Sequence, residues 1–135
     1  MDTHFERRAL QITIGVACIV PLAAGLLGIA QGASMLGGAS DVSLDSHIRY
    51  LSGLLLGVGL GFASTIPNIE RKGARFATLG TCVLIGGLAR LYGMLSDGWP
   101  AVSMMFALSM ELGVTPILWI WQRRVANEFR GHELE

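Results

Sequence analysis

Three charged residues lie where the sequence is otherwise apolar, and they are the side chains best placed to do chemistry. Arg90 and Glu111 lie well inside long apolar stretches, and Arg49 lies near the start of another. If these stretches cross a membrane, an unpaired Arg at mid-depth costs about 2.5–3.5 kcal/mol on insertion scales. Both inner charges should therefore face the protein interior, and the simplest arrangement pairs Arg90 with Glu111.

Two interpretations of these charges remain open. One is a structural ion pair that determines which helices are neighbours. The other is an outward-opening polar pocket, in which Arg49 and Arg90 hold an anionic group and Glu111 carries a proton or a polar contact. Residues that would line the mouth of that pocket are His47, Asp45, Tyr50 and Tyr92.

The sequence contains no signature of catalysis or of metal binding. It has no Cys-x-x-Cys, His-Glu-x-x-His, Gly-x-Ser-x-Gly or phosphate-binding loop. The two cysteines, Cys18 and Cys82, lie in apolar stretches and are expected to act as small hydrophobic residues. We therefore expect a protein that is not an enzyme and that has no cofactor and no metal site. A net charge of zero also argues against binding to nucleic acid.

The charges sit between four apolar stretches, each long enough to cross a bilayer core of about 30 Å. Hydrophobic residues make up 52% of the chain and charged residues only 15%, where about 25% is usual in soluble domains. The predicted architecture is all-α: one integral membrane domain over residues 1–135, with an up-down bundle of four helices. The predicted transmembrane spans are about 9–29, 47–66, 74–95 and 101–121.

Local signals refine these spans. A signal peptide is the competing interpretation of the first span, but its apolar run is longer than a usual signal core of about 7–15 residues. Asp45 or Ser46 is expected to cap the second helix. Pro21 is expected to be tolerated within the first span, and Pro116 to kink the fourth.

The distribution of basic residues predicts the orientation. Eight of the ten Lys and Arg residues fall at the two termini or in the connector between the second and third spans. Basic residues accumulate on the cytoplasmic side of membrane proteins. Both termini should therefore be cytoplasmic, and so one-sided a distribution argues against a dual-topology antiparallel dimer.

Small residues recur at the spacing that brings membrane helices into close contact. In lipid, helices associate by close packing and polar contacts. The first span has a stripe formed by Ala17, Pro21, Gly25, Gly28 and Gly32, and the fourth has small or polar residues every four positions from Ser103 to Thr115. The packing residues predicted for the other helices are Gly53, Gly57, Gly61, Gly86, Gly87, Gly93 and Ala107. A bundle of four helices has few surfaces that bury so many stripes, so we expect a homo-oligomer or a place in a larger membrane complex.

Three short motifs in this order resemble the domain-of-unknown-function 4345 family of small bacterial membrane proteins with four helices. They are Arg49-x-x-x-Gly53-x-x-x-Gly57, Gly-Gly-Leu-Ala-Arg-Leu at residues 86–91, and Glu111-x-x-x-x-Pro116. The likeness extends from about Ala9 to Trp121. It implies a setting in the bacterial inner membrane and brings no activity with it.

Three functions are consistent with these features. The first is a non-catalytic structural, accessory or binding module whose partners are the lipid bilayer and other membrane subunits. The second is a small transporter or channel that uses the Arg/Glu pocket for an anionic or proton-linked substrate. The third, an enzyme acting on lipid or quinone, lacks a nucleophile–base pair and is the least favoured.

Overall fold

The chain is all-α in a computed structural model that describes residues 3–37 and 41–132. Within those residues there is no β-strand, so the predicted fold class is confirmed at that level. The helices are α1 (Thr3–Gln31), α2 (Val42–Ala63), α3 (Gly73–Asp97), α4 (Val102–Ser109) and α5 (Thr115–His132). A single π-helical turn, Met110–Val114, joins α4 to α5, and two short 3-10 turns cover Gly32–Leu36 and Ile69–Arg71.

Among the described residues, three helical segments are long and apolar enough to cross a membrane, which supports a membrane protein. They are Thr3–Met35, Gly73–Asp97 and Val102–Gly131. Helix α2 is not among them, because Asp45, His47 and Arg49 lie in its first two turns and lower its hydropathy. Four crossings, and the orientation of the termini, remain predictions.

The contacts divide the chain into two compact units. Unit 1 contains Met1–Leu10 and Asn68–Glu135, and unit 2 contains Gln11–Pro67. Helix α1 begins in the first and continues through the second. The organisation of residues 1–135 as one membrane domain stays a prediction.

In unit 2, the small stripe of α1 packs directly against α2. A methyl group on Gly25 would lie 2.8 Å from the backbone nitrogen of Leu56, and one on Gly28 would overlap the hydroxyl of Ser52. From the other side, a methyl group on Gly59 would lie 3.3 Å from the ring of Pro21. The two helices therefore approach so closely that larger side chains do not fit between them.

The predicted packing stripe of α2 lies on a different face from the one that contacts α1. A methyl group on Gly53 or Gly57 would meet no atom of unit 2 within 4 Å. Gly61 is half-buried. Since each helical residue turns by about 100°, the face formed by Ser52, Leu56 and Gly59 points well away from the Gly53–Gly57 face. Neither Gly53 nor Gly57 therefore packs against α1, and their predicted role in helix packing stays a prediction.

Unit 1 is built from the start of α1 and from α3, α4 and α5. Its buried apolar residues are Leu10, Ile69, Phe76, Leu118, Val125 and Ala126. Gly87 packs as predicted, because a methyl group there would lie 2.8 Å from the side chain of Leu112. Gly86 and Gly93 lie on open faces of the same helix, where an added methyl group would meet no atom of unit 1 within 4 Å. Ala107 is half-buried.

Two local predictions are corrected by the helix ends. Helix α2 begins at Val42, with Asp41 at its N-cap and no capping side chain, so neither Asp45 nor Ser46 caps it. The carboxylate of Asp45 instead binds the turn that follows α1. The other correction concerns the fourth span, in which the π turn Met110–Val114 widens the helix, so that residues four apart there are not placed as in a regular α-helix.

Candidate functional site

The π turn determines where Glu111 lies. Pro116 has no backbone N–H, and its ring would clash with the carbonyl of Leu112 in a regular α-helix. The chain widens just before it: both the backbone N–H and the hydroxyl of Thr115 donate to the carbonyl oxygen of Met110, the hydroxyl at 3.0 Å. Pro116 was predicted to kink this segment, and the structure has a π turn immediately before it. Turns of this kind are frequent at functional sites.

Arg90 and Glu111 form a two-pronged ion pair, as predicted. The Arg90 Nε donates to one carboxylate oxygen of Glu111 at 3.0 Å, and Nη2 donates to the other at 3.1 Å. The remaining terminal nitrogen, Nη1, lies 3.0 Å from the sulfur of Met104. This parallel geometry is the strongest that Arg makes with a carboxylate. The Arg90 side chain remains 34% exposed and that of Glu111 19% exposed, so the pair is only partly shielded by unit 1.

Gly87 makes this pairing possible. It lies one helical turn before Arg90, and a methyl group on it would lie 2.9 Å from the Cβ of Glu111. A residue with a side chain would therefore push the π turn away from α3. The glycine next to it, Gly86, faces open space, so the predicted glycine pair has only one member in this contact.

In unit 2, Asp45 and Arg49 form a second charged cluster that fastens α2 to the end of α1. One carboxylate oxygen of Asp45 accepts the backbone N–H of Ala33 at 2.8 Å. The other accepts Nε of Arg49 at 2.7 Å. Nη1 of Arg49 donates to the carbonyl oxygens of Ile29 and Ala30 in the last turn of α1.

The electrostatics of this second cluster are favourable at both helix ends. Arg49 places positive charge against the carbonyl end of α1, and Asp45 places negative charge in the first turn of α2. Hydrogen bonding from Arg49, followed by the N–H of Ala33, lowers the pKa of Asp45 below its ordinary value. Gly32 adopts a φ of +55°, and a methyl group on it would overlap the carboxylate of Asp45. Only glycine fits this turn without strain.

The other predicted site residues lie apart from these pairs or on the surface. Tyr50 is 62% exposed and Tyr92 is 73% exposed, and His47 is also exposed. Arg49 and Asp45 belong to unit 2, whereas Arg90, Glu111 and Tyr92 belong to unit 1. The common pocket predicted for these residues stays a prediction.

Among known proteins, one family shares the pattern of this chain. The family model described as domain of unknown function (DUF4345) matches residues 9–122, which is most of the chain. The chain belongs to the DUF4345 family. The resemblance drawn from the three motifs is thereby confirmed, and the matched region includes both charged clusters. No curated protein and no solved structure matches the chain.

A third polar cluster of this DUF4345 protein, which the sequence did not predict, lies in unit 1 around the first turns of α1. Glu6 is only 4% exposed, and it accepts a hydrogen bond from Arg124 of α5 at 3.2 Å. Its neighbour Arg7 donates to Glu70 at 2.9 Å. The one signal is the group of charges in residues 1–8, a pattern that is also typical of a solvated tail.

In chemical terms, the Asp45–Arg49 and Arg90–Glu111 clusters bring opposite charges together. Guanidinium and carboxylate groups are paired with each other in each cluster. Across residues 3–37 and 41–132, no group of three His, Cys, Asp or Glu side chains is placed to hold a metal ion. The arrangement is suited to fixing helix positions and, at Arg90 and Glu111, to exchanging the pair for an anion or a proton.

Proposed function

We propose that this protein is a multi-pass protein of the bacterial inner membrane, with four crossings and both termini in the cytoplasm. In the part of the chain that the structure describes, three helical segments are long and apolar enough to cross a bilayer. The apolar part of α2, residues 50–63, extends over roughly 21 Å at 1.5 Å per residue. A bilayer accommodates a short span by local thinning and by extension of flanking basic side chains toward the interface. The one-sided distribution of Lys and Arg supports the orientation.

Within that membrane, the protein acts as a non-catalytic packing module that assembles with further copies of itself. The observation that carries this proposal is the pair of open glycine faces. Gly53 and Gly57 on α2, and Gly86 and Gly93 on α3, have no neighbour within their own units. Gly-x-x-x-Gly faces allow two helix backbones to approach closely in lipid.

The charged clusters support a structural role in the same module. Arg49 is held by Asp45 and by two carbonyl groups of α1. Arg90 is held by both oxygens of Glu111. Since these guanidinium groups already have partners, their simplest role is to fix the helices that present the glycine faces.

The oligomeric state of glycine variants tests this proposal. The full-length protein is reconstituted in lipid nanodiscs or vesicles, and subunits are counted by single-molecule photobleaching of a fluorescent label. We expect more than one subunit in wild type and a shift toward the monomer in Gly53→Leu/Gly57→Leu, because the added side chains separate the helices. A monomeric wild type would overturn the proposal.

Leu51→Phe is the matched control for these variants. Leu51 is 50% exposed and lies roughly 120–160° around α2 from Gly53 and Gly57, by the 100° turn of each residue. It adds bulk to the same helix on a different face. If Leu51→Phe dissociates the oligomer as strongly as the glycine variants do, the Gly53–Gly57 face is not the interface.

A second candidate, a small transporter or channel, is favoured by one specific observation. The partly exposed pair of Arg90 and Glu111 lies at a π turn inside a membrane helix, and ionisable residues at that depth often mark ion or proton pathways. Proteoliposomes that contain a pH-sensitive dye test it. Proton flux in wild type that falls at least about tenfold in Glu111→Gln would support transport. Equal flux in the two proteins would exclude this role for Glu111.

A further inference from the structure

Unit 1 contains a surface groove of about 420 Å³ between the first turn of α3 and the last turns of α5. None of the residues predicted to bind a ligand takes part in it. Its lining residues are Gly73, Ala74, Ala77, Gln122, Arg123, Ala126, Asn127 and Arg130. It has the size of a site for a small polar group and was not foreseen in the sequence.

The groove is positively polarised. Among the described residues that line it, the charged ones are Arg123 and Arg130, and none is acidic. Helix α3 begins at Gly73 without a capping side chain. The first backbone N–H groups of a helix have no partner within it, and together they favour a bound anion. The two arginines and the N-terminus of α3 both favour a negatively charged ligand in the groove.

Gln122 adds a second, independent requirement. Its side chain lines the groove and is only 1% exposed. Its amide nitrogen is used, because Nε2 donates to the carbonyl of Ile69 at 3.0 Å. Its oxygen Oε1 has no hydrogen-bond partner among the described residues. A buried acceptor without a partner is destabilising, so a hydrogen-bond donor that reaches Oε1 would stabilise this wall of the groove.

The position of the groove indicates where such a ligand comes from. The guanidinium of Arg123 lies 5.7 Å from the ring of Trp119. The apolar part of this last helix ends at Trp121, and Trp residues mark the level of lipid headgroups. In the proposed membrane orientation, on which this step rests, a ligand in the groove would lie at the boundary between the acyl chains and the cytoplasm.

We propose that this groove binds the headgroup of an anionic phospholipid whose phosphate diester carries a neighbouring hydroxyl group, as in phosphatidylglycerol. The phosphate lies against Arg123, Arg130 and the start of α3, and the hydroxyl donates to Oε1 of Gln122. This inference concerns a different site from the glycine faces, and it stands without the proposed oligomer.

Lipid titration of the purified full-length protein in detergent tests the proposal, with native mass spectrometry as the readout. The probes are short-chain phosphatidylglycerol, phosphatidylcholine and phosphatidylmethanol, which is anionic but has no hydroxyl donor. We expect phosphatidylglycerol to bind at least about tenfold more tightly than phosphatidylcholine, and several-fold more tightly than phosphatidylmethanol. Equal binding of all three lipids would overturn the proposal.

Two exposed arginines allow variants that leave the core of unit 1 intact. Arg123→Gln/Arg130→Gln is expected to weaken phosphatidylglycerol binding about tenfold or more, since both basic side chains attract the anionic headgroup. Arg8→Gln removes an exposed charge that does not line the groove, and it should bind as wild type does. Equal weakening in Arg8→Gln would assign the effect to net charge and overturn the site.

Free glycerol 3-phosphate distinguishes the two sources of the same chemistry. Binding of this soluble probe should be undetectable at concentrations where phosphatidylglycerol saturates, because it has no acyl chains to hold it at the membrane boundary. If it binds as tightly as the lipid and loses affinity in Arg123→Gln/Arg130→Gln, the groove takes a soluble phosphate ester and the lipid assignment is wrong.

Discussion

At the residue scale, the pair of Arg90 and Glu111 makes the clearest energetic prediction. Glu111→Ala removes the charged partner of Arg90, whose side chain is only 34% exposed. Because water still reaches the pair, the expected loss in free energy of unfolding is about 1–3 kcal/mol, below the cost for a fully buried pair. Unfolding of the purified protein in mixed micelles, followed by circular dichroism, measures it.

A double-mutant cycle separates this pair from general disruption. Arg90→Met/Glu111→Leu removes both charges. Its loss in free energy of unfolding should therefore be smaller, by about 1 kcal/mol or more, than the sum of the losses measured for Arg90→Met and Glu111→Leu alone. Strict additivity would show that the two side chains do not interact in the folded protein.

Asp45 makes a prediction about pH. Its pKa is lowered in the folded protein by Arg49 and by the N–H of Ala33. A lowered pKa means that the stabilisation is fully present above the unfolded value of about 3.9 and is lost as the pH falls through the folded value. The melting temperature of wild type should therefore exceed that of Asp45→Asn at pH 6, and the difference should shrink as the pH falls below the ordinary carboxyl pKa. A difference that does not change with pH would contradict the assignment.

How far the sequence predicts these clusters depends on what each one requires. The pairing of Arg90 with Glu111 follows from the cost of a lone charge in lipid, and it was predicted. The hydrogen bond from the Ala33 N–H to Asp45 was not predicted, because that contact depends on the left-handed backbone of Gly32. A glycine in a loop is compatible with many backbone conformations, so its sequence position alone does not reveal this one.

At the scale of helices, glycines with neighbours and glycines without them should respond in opposite ways to the same substitution. Gly25→Ala places a methyl group 2.8 Å from the backbone of Leu56, and the overpacking should destabilise the protein by about 1–3 kcal/mol. Gly53→Ala meets open space and should be neutral or stabilising by up to about 1 kcal/mol, since Ala favours helix. Both are measured by unfolding in detergent that keeps the protein monomeric. Equal losses would show that the contact of α1 with α2 is not as close as described.

The same comparison explains which helix contacts were predictable. The spacing of small residues identifies several candidate packing faces on α1, α2 and α3. It does not determine which face meets which helix, because Gly53, Gly57 and Gly59 are equally small. The contact made by Gly59 depends on Pro21 and Leu22 across the interface, and that pairing is a tertiary property.

At the scale of the whole molecule, the apolar stretches predicted the helices. Whether α2 crosses the membrane depends on its charged first turns and on the length of its apolar part. Its first two turns contain Asp45, His47 and Arg49. Asp45 and Arg49 bind each other and the end of α1, so they do not have to enter the hydrocarbon. The remaining apolar part is short for a bilayer of about 30 Å. The alternative to four crossings is therefore a chain in which α2 stays on the outer side.

Cysteine accessibility distinguishes these two topologies, because they place the end of α3 on opposite sides. Single cysteines are introduced as Ser96→Cys and Gly131→Cys in a chain whose Cys18 and Cys82 are replaced by Ala. With four crossings, a membrane-impermeant maleimide added to intact cells labels position 96 and not position 131. With α2 left outside, α3 and the last helix reverse their directions, and the labelling pattern is inverted. Full labelling of both positions after detergent lysis is the control, and the inverted pattern in intact cells would overturn the four-crossing topology.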